Sequence, residues 1–244
     1  MSNFEWQERS VLLLGNEKLE ILKNSHVLIA GLGGVGAYAA ENICRAGAGK
    51  MTIVDSDVIM PSNINRQLPA VHSSVGIEKS ALMAARLKDI NPTVELIVVN
   101  EFLKNENIPD LLDSQRFDYV VDAIDTLSPK IYLIYETILR KYPLVSSMGA
   151  GGRLDPAHVQ VADISKSYNC RLAYILRKRL RKLGISNGFD VVFSSERNNK
   201  GQVVVVNEQN KKSMVGTISY MPALFGCLLA SVVIRGLIGS DLIK

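Results

Sequence analysis

The stretch His26-Val27-Leu28-Ile29-Ala30-Gly31-Leu32-Gly33-Gly34-Val35-Gly36 decides the fold. An apolar run leads into a glycine turn, and small side chains continue as a helix over residues 37–46. Strand, glycine turn and helix in that order open a nucleotide-binding βαβ unit. Gly31, Gly33, Gly34 and Gly36 let the backbone turn sharply and approach a phosphate with no Cβ in the way, while free N–H groups at the helix start supply positive field. A nucleotide is expected here, a purely structural turn being the other reading.

Outward from the turn, Lys50-Met51-Thr52-Ile53-Val54 is a second apolar strand ending at Asp55, from which a carboxylate reaches a ribose hydroxyl. Beyond it, Asp55-Ser56-Asp57-Val58-Ile59-Met60-Pro61-Ser62-Asn63-Ile64-Asn65-Arg66-Gln67, and then Glu78-Lys79 opening a helix, concentrate cations and amides where a hydride-transfer enzyme needs neither. The segment reads as a triphosphate clamp. A further strand, 117–121, delivers Asp122 and Asp125 to its carboxyl end. Open α/β sheets place ligands on that edge, and a carboxylate there can hold Mg2+ against phosphates.

Over residues 5–150 this constellation resembles the superfamily of ThiF, MoeB and ubiquitin-activating enzymes, whose members adenylate a carboxylate with ATP and Mg2+. The resemblance implies that Asp55 binds the ribose and that Asn63, Arg66 and Lys79 bind the phosphates, supported by Asp57 and Gln67. Asp125 would hold the metal, and Asp122 is grouped with the nucleotide ligands. Arg9, in Glu8-Arg9-Ser10-Val11-Leu12-Leu13-Leu14-Gly15, matches an arginine that reaches a neighbouring subunit's phosphates, which implies a homodimer. Taken singly, each has a plainer reading: Asn63 caps a turn, Arg66 and Lys79 are solvated charges, Asp122 caps a helix. Their order and spacing favour the site.

The 244 residues, 47% hydrophobic, suffice for one α/β domain built on a Rossmann-like, mostly parallel sheet with flanking helices. Runs at 94–99 and 143–147 extend the sheet, and 128–141 reads as a helix. After Gly149-Ala150-Gly151-Gly152 come shorter strands at 158–164, 189–194 and 202–206, interrupted by one basic helix. The chain therefore divides into a nucleotide-binding core, 1–150, and an extension, 151–244. Three scattered cysteines, Cys44, Cys170 and Cys227, with no C-x-x-C pair, point to a reducing compartment and no structural zinc. Cys44 is expected in the core, whereas Cys170 could be an exposed thiol.

Charge divides the same way. Residues 1–150 hold 14 Lys/Arg against 18 Asp/Glu, and residues 151–244 hold 14 against 6. The excess centres on residues 171–183, where Leu172, Leu176, Leu180 and Leu183 form an apolar stripe and Arg171, Arg177, Lys178, Arg179, Arg181 and Lys182 occupy the remaining surface. Such a face suits a polyphosphate backbone; a merely solvated helix and an anionic membrane surface are the alternatives. The uncharged run 218–234 contains Pro222 and Gly226 and is short for a membrane span, so a core or dimer-interface helix is expected. The charged start of the chain is unlike a signal peptide, which favours the cytoplasm.

Val145-Ser146-Ser147-Met148-Gly149-Ala150-Gly151-Gly152-Arg153-Leu154-Asp155-Pro156, Val159-Gln160-Val161-Ala162-Asp163-Ile164, the basic helix and Val191-Val192-Phe193-Ser194-Ser195-Glu196 resemble the bacterial tRNA threonylcarbamoyladenosine dehydratase family. The stretch 197–212 is shorter and more polar than that family's. The resemblance implies a tRNA substrate bound by the basic helix, ATP and Mg2+ with a monovalent cation left open, and association with a cysteine desulfurase and its sulfur acceptor. Its chemistry is adenylation of a threonyl carboxylate followed by attack of a nearby carbamoyl nitrogen, so no protein acyl acceptor is needed. No general base is evident: His26 and His158 sit in apolar strand contexts and His72 in the loop between Arg66 and Lys79, so each favours a structural role, His72 being the best of the three for a proton transfer. Competing readings are activation of a ubiquitin-like sulfur carrier, a nicotinamide dehydrogenase, and an idle ATP-dependent RNA-binding scaffold.

Overall fold

The computed structural model describes residues 5–197, 203–208 and 211–239. In chain order, helices α1 (Glu8–Leu14) and α2 (Asn16–Lys23) lead into β1 (His26–Ala30), α3 (Gly36–Arg45), β2 (Lys50–Val54), α4 (Lys79–Ile90), β3 (Glu95–Val99), α5 (Ile108–Asp113), β4 (Tyr119–Asp122), α6 (Leu127–Leu139) and β5 (Leu144–Ser147). The extension adds β6 (Val159–Asp163), α7 (Arg171–Arg181), β7 (Asp190–Ser194), the hairpin β8 (Val203–Glu208) and β9 (Lys211–Val215), and α8 (Tyr220–Leu237).

Every residue of β1 is buried, as in a strand covered on both faces. Its alternate side chains feed two cores: Val27 and Ile29 pack with α3 and α8, Leu28 and Ala30 with α6 and α7. The sheet order is β3-β2-β1-β4-β5-β7-β6, parallel throughout except that β6 runs against β7. The chain therefore winds outward in one direction from β1 and in the other from β4. Between these two strands lies the topological switch point, where such sheets open a crevice at their carboxyl ends.

The expected strand at 117–121 is displaced to Tyr119–Asp122, because Phe117 leaves the ladder to pack its ring 4.6 Å from His26 and 6.0 Å from Tyr142. The hairpin strand expected at 202–206 occupies Val203–Glu208, residue 202 lying outside the described residues, and β9 is a strand the polar sequence did not announce. The run 218–234 becomes α8, long and apolar enough by composition to cross a membrane. Phe225, Leu229 and Val233 are nevertheless buried, and a Cβ on Gly226 would fall 2.5 Å from Val35 O, so α8 packs backbone to backbone on α3. The buried stripe of α7 is Ala173, Leu176 and Leu180; Leu172 is only partly covered and Leu183 is exposed.

Candidate active site

The glycine turn has two kinds of glycine. Gly31 has φ +91, and its Cβ position lies 2.8 Å from Ala123 O; Gly36's lies 1.8 Å from Gly31 O, so the turn itself demands both. Gly33 faces only Gln67 Nε2, 3.8 Å from its Cβ position, and leaves the surface of the turn bare. No side chain caps the start of α3 and no acidic residue stands in its first turn, so its N–H groups keep their field for an anion.

Asp55 stands at the lip of this turn, accepting hydrogen bonds from Leu32 N at 2.6 Å and Asp57 N at 2.9 Å. Burial raises its carboxyl above the usual range, against the pull of the Lys79 ammonium and the two N–H donors. Lys79, itself 5% exposed, pairs with Asp57 at 2.7 Å. Asn63 is buried and spends its carbonyl oxygen on Met60 N at 3.0 Å, shaping the 3-10 turn Pro61–Asn63. Gln67 is buried too, and its Oε1 has no hydrogen-bond partner. Arg66 is held by Ser62 O and Asn65 Oδ1, both at 2.8 Å. Half-burial lowers its guanidinium's affinity for the proton, and the Asp125 carboxylate, within Coulombic reach, pulls the other way. Gly33, Asp55, Arg66, Gln67, Lys79 and Asp125 thus converge on the crevice between β1 and β4.

Asp122 does not join them. It is fully buried beneath the crevice, where its Oδ2 accepts Lys130 Nζ at 2.7 Å and Ser146 Oγ at 2.6 Å and its Oδ1 accepts Ile124 N at 3.1 Å. Lys130 Nζ also donates to Ile124 O at 3.0 Å. Placing Asp122 among the nucleotide ligands is therefore corrected: with no exposed surface it anchors the turn that carries Asp125. Lys130 and Ser146 were missed, although a lone lysine followed by the apolar run 131–134 of α6 was the available signal.

Arg9 is exposed on α1, and Gln7, just before that helix, meets Gly47 beyond the carboxyl end of α3. That is the amino edge of the sheet, opposite the glycine turn. On α7, Arg171, Lys178, Arg179, Arg181 and Lys182 are exposed, and Tyr174, Ile175, Lys178, Arg179 and Lys182 line a shallow groove of about 450 Å³. Arg177 is instead partly buried, donating to the carbonyl of Ser167 at 2.7 Å and to its hydroxyl. His72 is exposed on a 3-10 turn, while His26 is tied to Arg116 O and Thr52 Oγ1 at the far end of β1. His158 lies on the extension, its Nδ1 3.2 Å from Ser195 Oγ. Cys44 is buried, its thiol pushed up to about 12 by desolvation, and Cys170 is buried as well, so the exposed thiol considered for it is not found.

The sequence model of the ThiF family matches residues 7–244. The tRNA threonylcarbamoyladenosine dehydratase of Bacillus subtilis is 44% identical over 206 residues, 84% of this chain and 79% of the relative. The crystal structure of the Escherichia coli tRNA N6-threonylcarbamoyladenosine dehydratase in complex with ATP superposes with a TM-score of 0.87 at 33% identity, covering 96% of this chain and 95% of the other. Its AMP complex superposes with a TM-score of 0.85 at 34% identity and the same coverage. With the family model spanning 7–244 and these relatives alongside it, the chain belongs to the ThiF family.

Proposed function

We propose that the protein dehydrates threonylcarbamoyladenosine at position 37 of tRNA to its cyclic form, with ATP as co-substrate. The observation that carries this reading is the crevice itself: a bare glycine turn and an uncapped helix start for phosphates, Asp55 at the lip for the ribose, and Arg66 opposite Asp125. The orphaned Gln67 Oε1 and the open face of Gly33 fit a nucleotide. The ATP and AMP complexes of the E. coli relative support adenylation as the chemistry.

Hydroxide is a poor leaving group, so the threonyl carboxylate oxygen attacks the α-phosphate and pyrophosphate leaves. The resulting acyl adenylate loses AMP when the neighbouring carbamoyl nitrogen closes onto the acyl carbon and gives up its proton. Because both groups sit on one nucleoside, ring closure has a high effective concentration. Arg66 and Lys79 offset charge growing on the phosphates, and Asp55 orients the ribose. Asp125 would hold Mg2+, which takes one or two protein carboxylates and completes its shell with phosphate oxygens and water; the ion would neutralise pyrophosphate. The basic face of α7 carries the tRNA backbone, with Arg177 bracing the helix. A second copy completes the enzyme, since Arg9 lies at the wrong edge to reach its own crevice and Leu12 and Leu13 beside it are 86% and 82% exposed. Three unpaired cysteines fit a cytoplasmic setting.

Nucleoside mass spectrometry of threonylcarbamoyladenosine-containing tRNA, after incubation with protein, ATP and Mg2+ under mild conditions, tests the reading. Loss of one water, about 18 Da, by the intact protein is expected, with the rate cut about 10²- to 10³-fold in Arg66→Ala and Asp125→Ala. ATP binding without loss of water would shift the substrate to a protein carboxyl terminus.

A further inference from the structure

Among the described residues three side-chain cations other than histidine are buried: Lys79, Lys130 and Arg153. Lys79 is paired with Asp57 and Lys130 with Asp122. Arg153, 3% exposed, has no such partner. Its Nη2 donates to Asn169 O at 3.0 Å, while Nε and Nη1 are buried without an acceptor. The nearby acid Glu196 uses Oε2 on the backbone N–H groups of Leu154 and Asp155, at 2.9 and 3.0 Å. A guanidinium withdrawn from water with unfilled donors is costly unless an anion fills them, and its planar array of N–H groups suits the two oxygens of a carboxylate.

Arg153 lies on the same edge of the sheet as the crevice. It follows Gly149-Ala150-Gly151-Gly152 beyond the carboxyl end of β5. The segment 216–222 joins the two places. Gly152 N donates to Gly216 O at 2.7 Å and Tyr220 Oη to Leu154 O at 2.8 Å on one side. On the other, Thr217 O accepts Asn65 Nδ2 at 2.9 Å, Asn65 holds Arg66, and Pro222 lies 3.1 Å from the Cβ position of Gly34. The crevice is lined by Asp55, Asp57 and Asp125, so an anionic substrate group arriving there needs a cation that phosphates do not already claim.

We propose that Arg153 is the seat of the substrate's carboxylate, which it holds for attack on the α-phosphate. This rests on the dehydratase reading and makes Arg153 the residue that tells an acid from its uncharged analogues. Filling its two free donors requires the segment 149–152 to shift, a change that its glycines tolerate sterically.

The test uses the intact protein with a nonhydrolysable ATP analogue and two probes, N-carbamoyl-L-threonine and its carboxamide, with affinities read by calorimetry. The acid is expected to bind roughly tenfold or more tightly than the amide. Arg153→Gln should abolish that preference and Arg153→Lys retain part of it, both leaving affinity for the ATP analogue unchanged. Equal binding of the two probes, or a preference that survives in Arg153→Gln, overturns the assignment. Inorganic phosphate displacing the acid from Arg153 at equal concentration also overturns it, in favour of a tRNA phosphate. Should Arg153→Gln fail to fold, the wild-type comparison and Arg153→Lys still decide. Acid preference without dehydration of tRNA would sink the dehydratase reading and leave the anion site standing, whereas dehydration with no acid preference would do the reverse.

Discussion

Beneath the crevice, Lys130 and Asp122 bury opposite charges in a place where neither could stand alone. Lys130→Met would strand Asp122 as an unpaired buried anion, at a cost of about 3–5 kcal/mol in equilibrium denaturation. The double variant Asp122→Asn/Lys130→Met removes both charges and should recover most of that stability. It should not recover activity, because the turn carrying Asp125 loses the bond that Lys130 Nζ donates to Ile124 O, even though the amide oxygen of Asp122→Asn can still accept from Ile124 N. At the other end of the sheet, His26 is a pH-sensitive group. Burial lowers its proton affinity below the ordinary value of 6.5, so the unfolded chain binds the proton more readily. Its contribution is present above pH 6.5 and is lost as pH falls below it. Thermal midpoints measured from pH 8 to pH 5 should drop more steeply in the wild type than in His26→Gln; parallel curves would contradict this.

At the scale of elements, the glycine turn makes a paired prediction. Gly36→Ala puts a methyl group 1.8 Å from Gly31 O and should destabilise the fold by about 3 kcal/mol. Gly33→Ala meets nothing closer than Gln67 Nε2 at 3.8 Å and should melt like the wild type, yet bind ATP about ten- to a hundredfold more weakly because the new Cβ stands where phosphate oxygens meet N–H groups. Thermal melts and ATP titrations of the two variants separate the roles. The turn was legible in sequence because glycines report backbone constraint directly, and β1 and β2 because five-residue apolar runs bounded by turn residues leave few alternatives. What escaped was set by contacts distant in sequence. Asp122 looked like a ligand until α6 brought Lys130 back onto it, and Phe117 looked like part of a strand until His26 and Tyr142 packed around it. Arg153 stood inside a recognised segment, but its missing counter-ion is a property of the folded molecule alone.

At the scale of the whole molecule, the edge of the sheet opposite the crevice carries Arg9 with the exposed Leu12 and Leu13 on α1. If the partner subunit supplies Arg9, two inactive variants should rescue each other. In a heterodimer of Arg9→Ala with Asp125→Ala, the first protomer keeps its own Asp125 and receives an intact Arg9, whereas the second protomer's site lacks both. Random exchange makes half the dimers mixed, each with one working site of two, so activity should return to about a quarter of the wild-type value. Arg9 acting within its own chain would leave the mixture as inactive as its parents. Adding Leu12→Glu and Leu13→Glu to both variants should abolish the rescue and, in sedimentation, yield monomers. Rescue that survives those charges would place the subunit contact elsewhere on the surface.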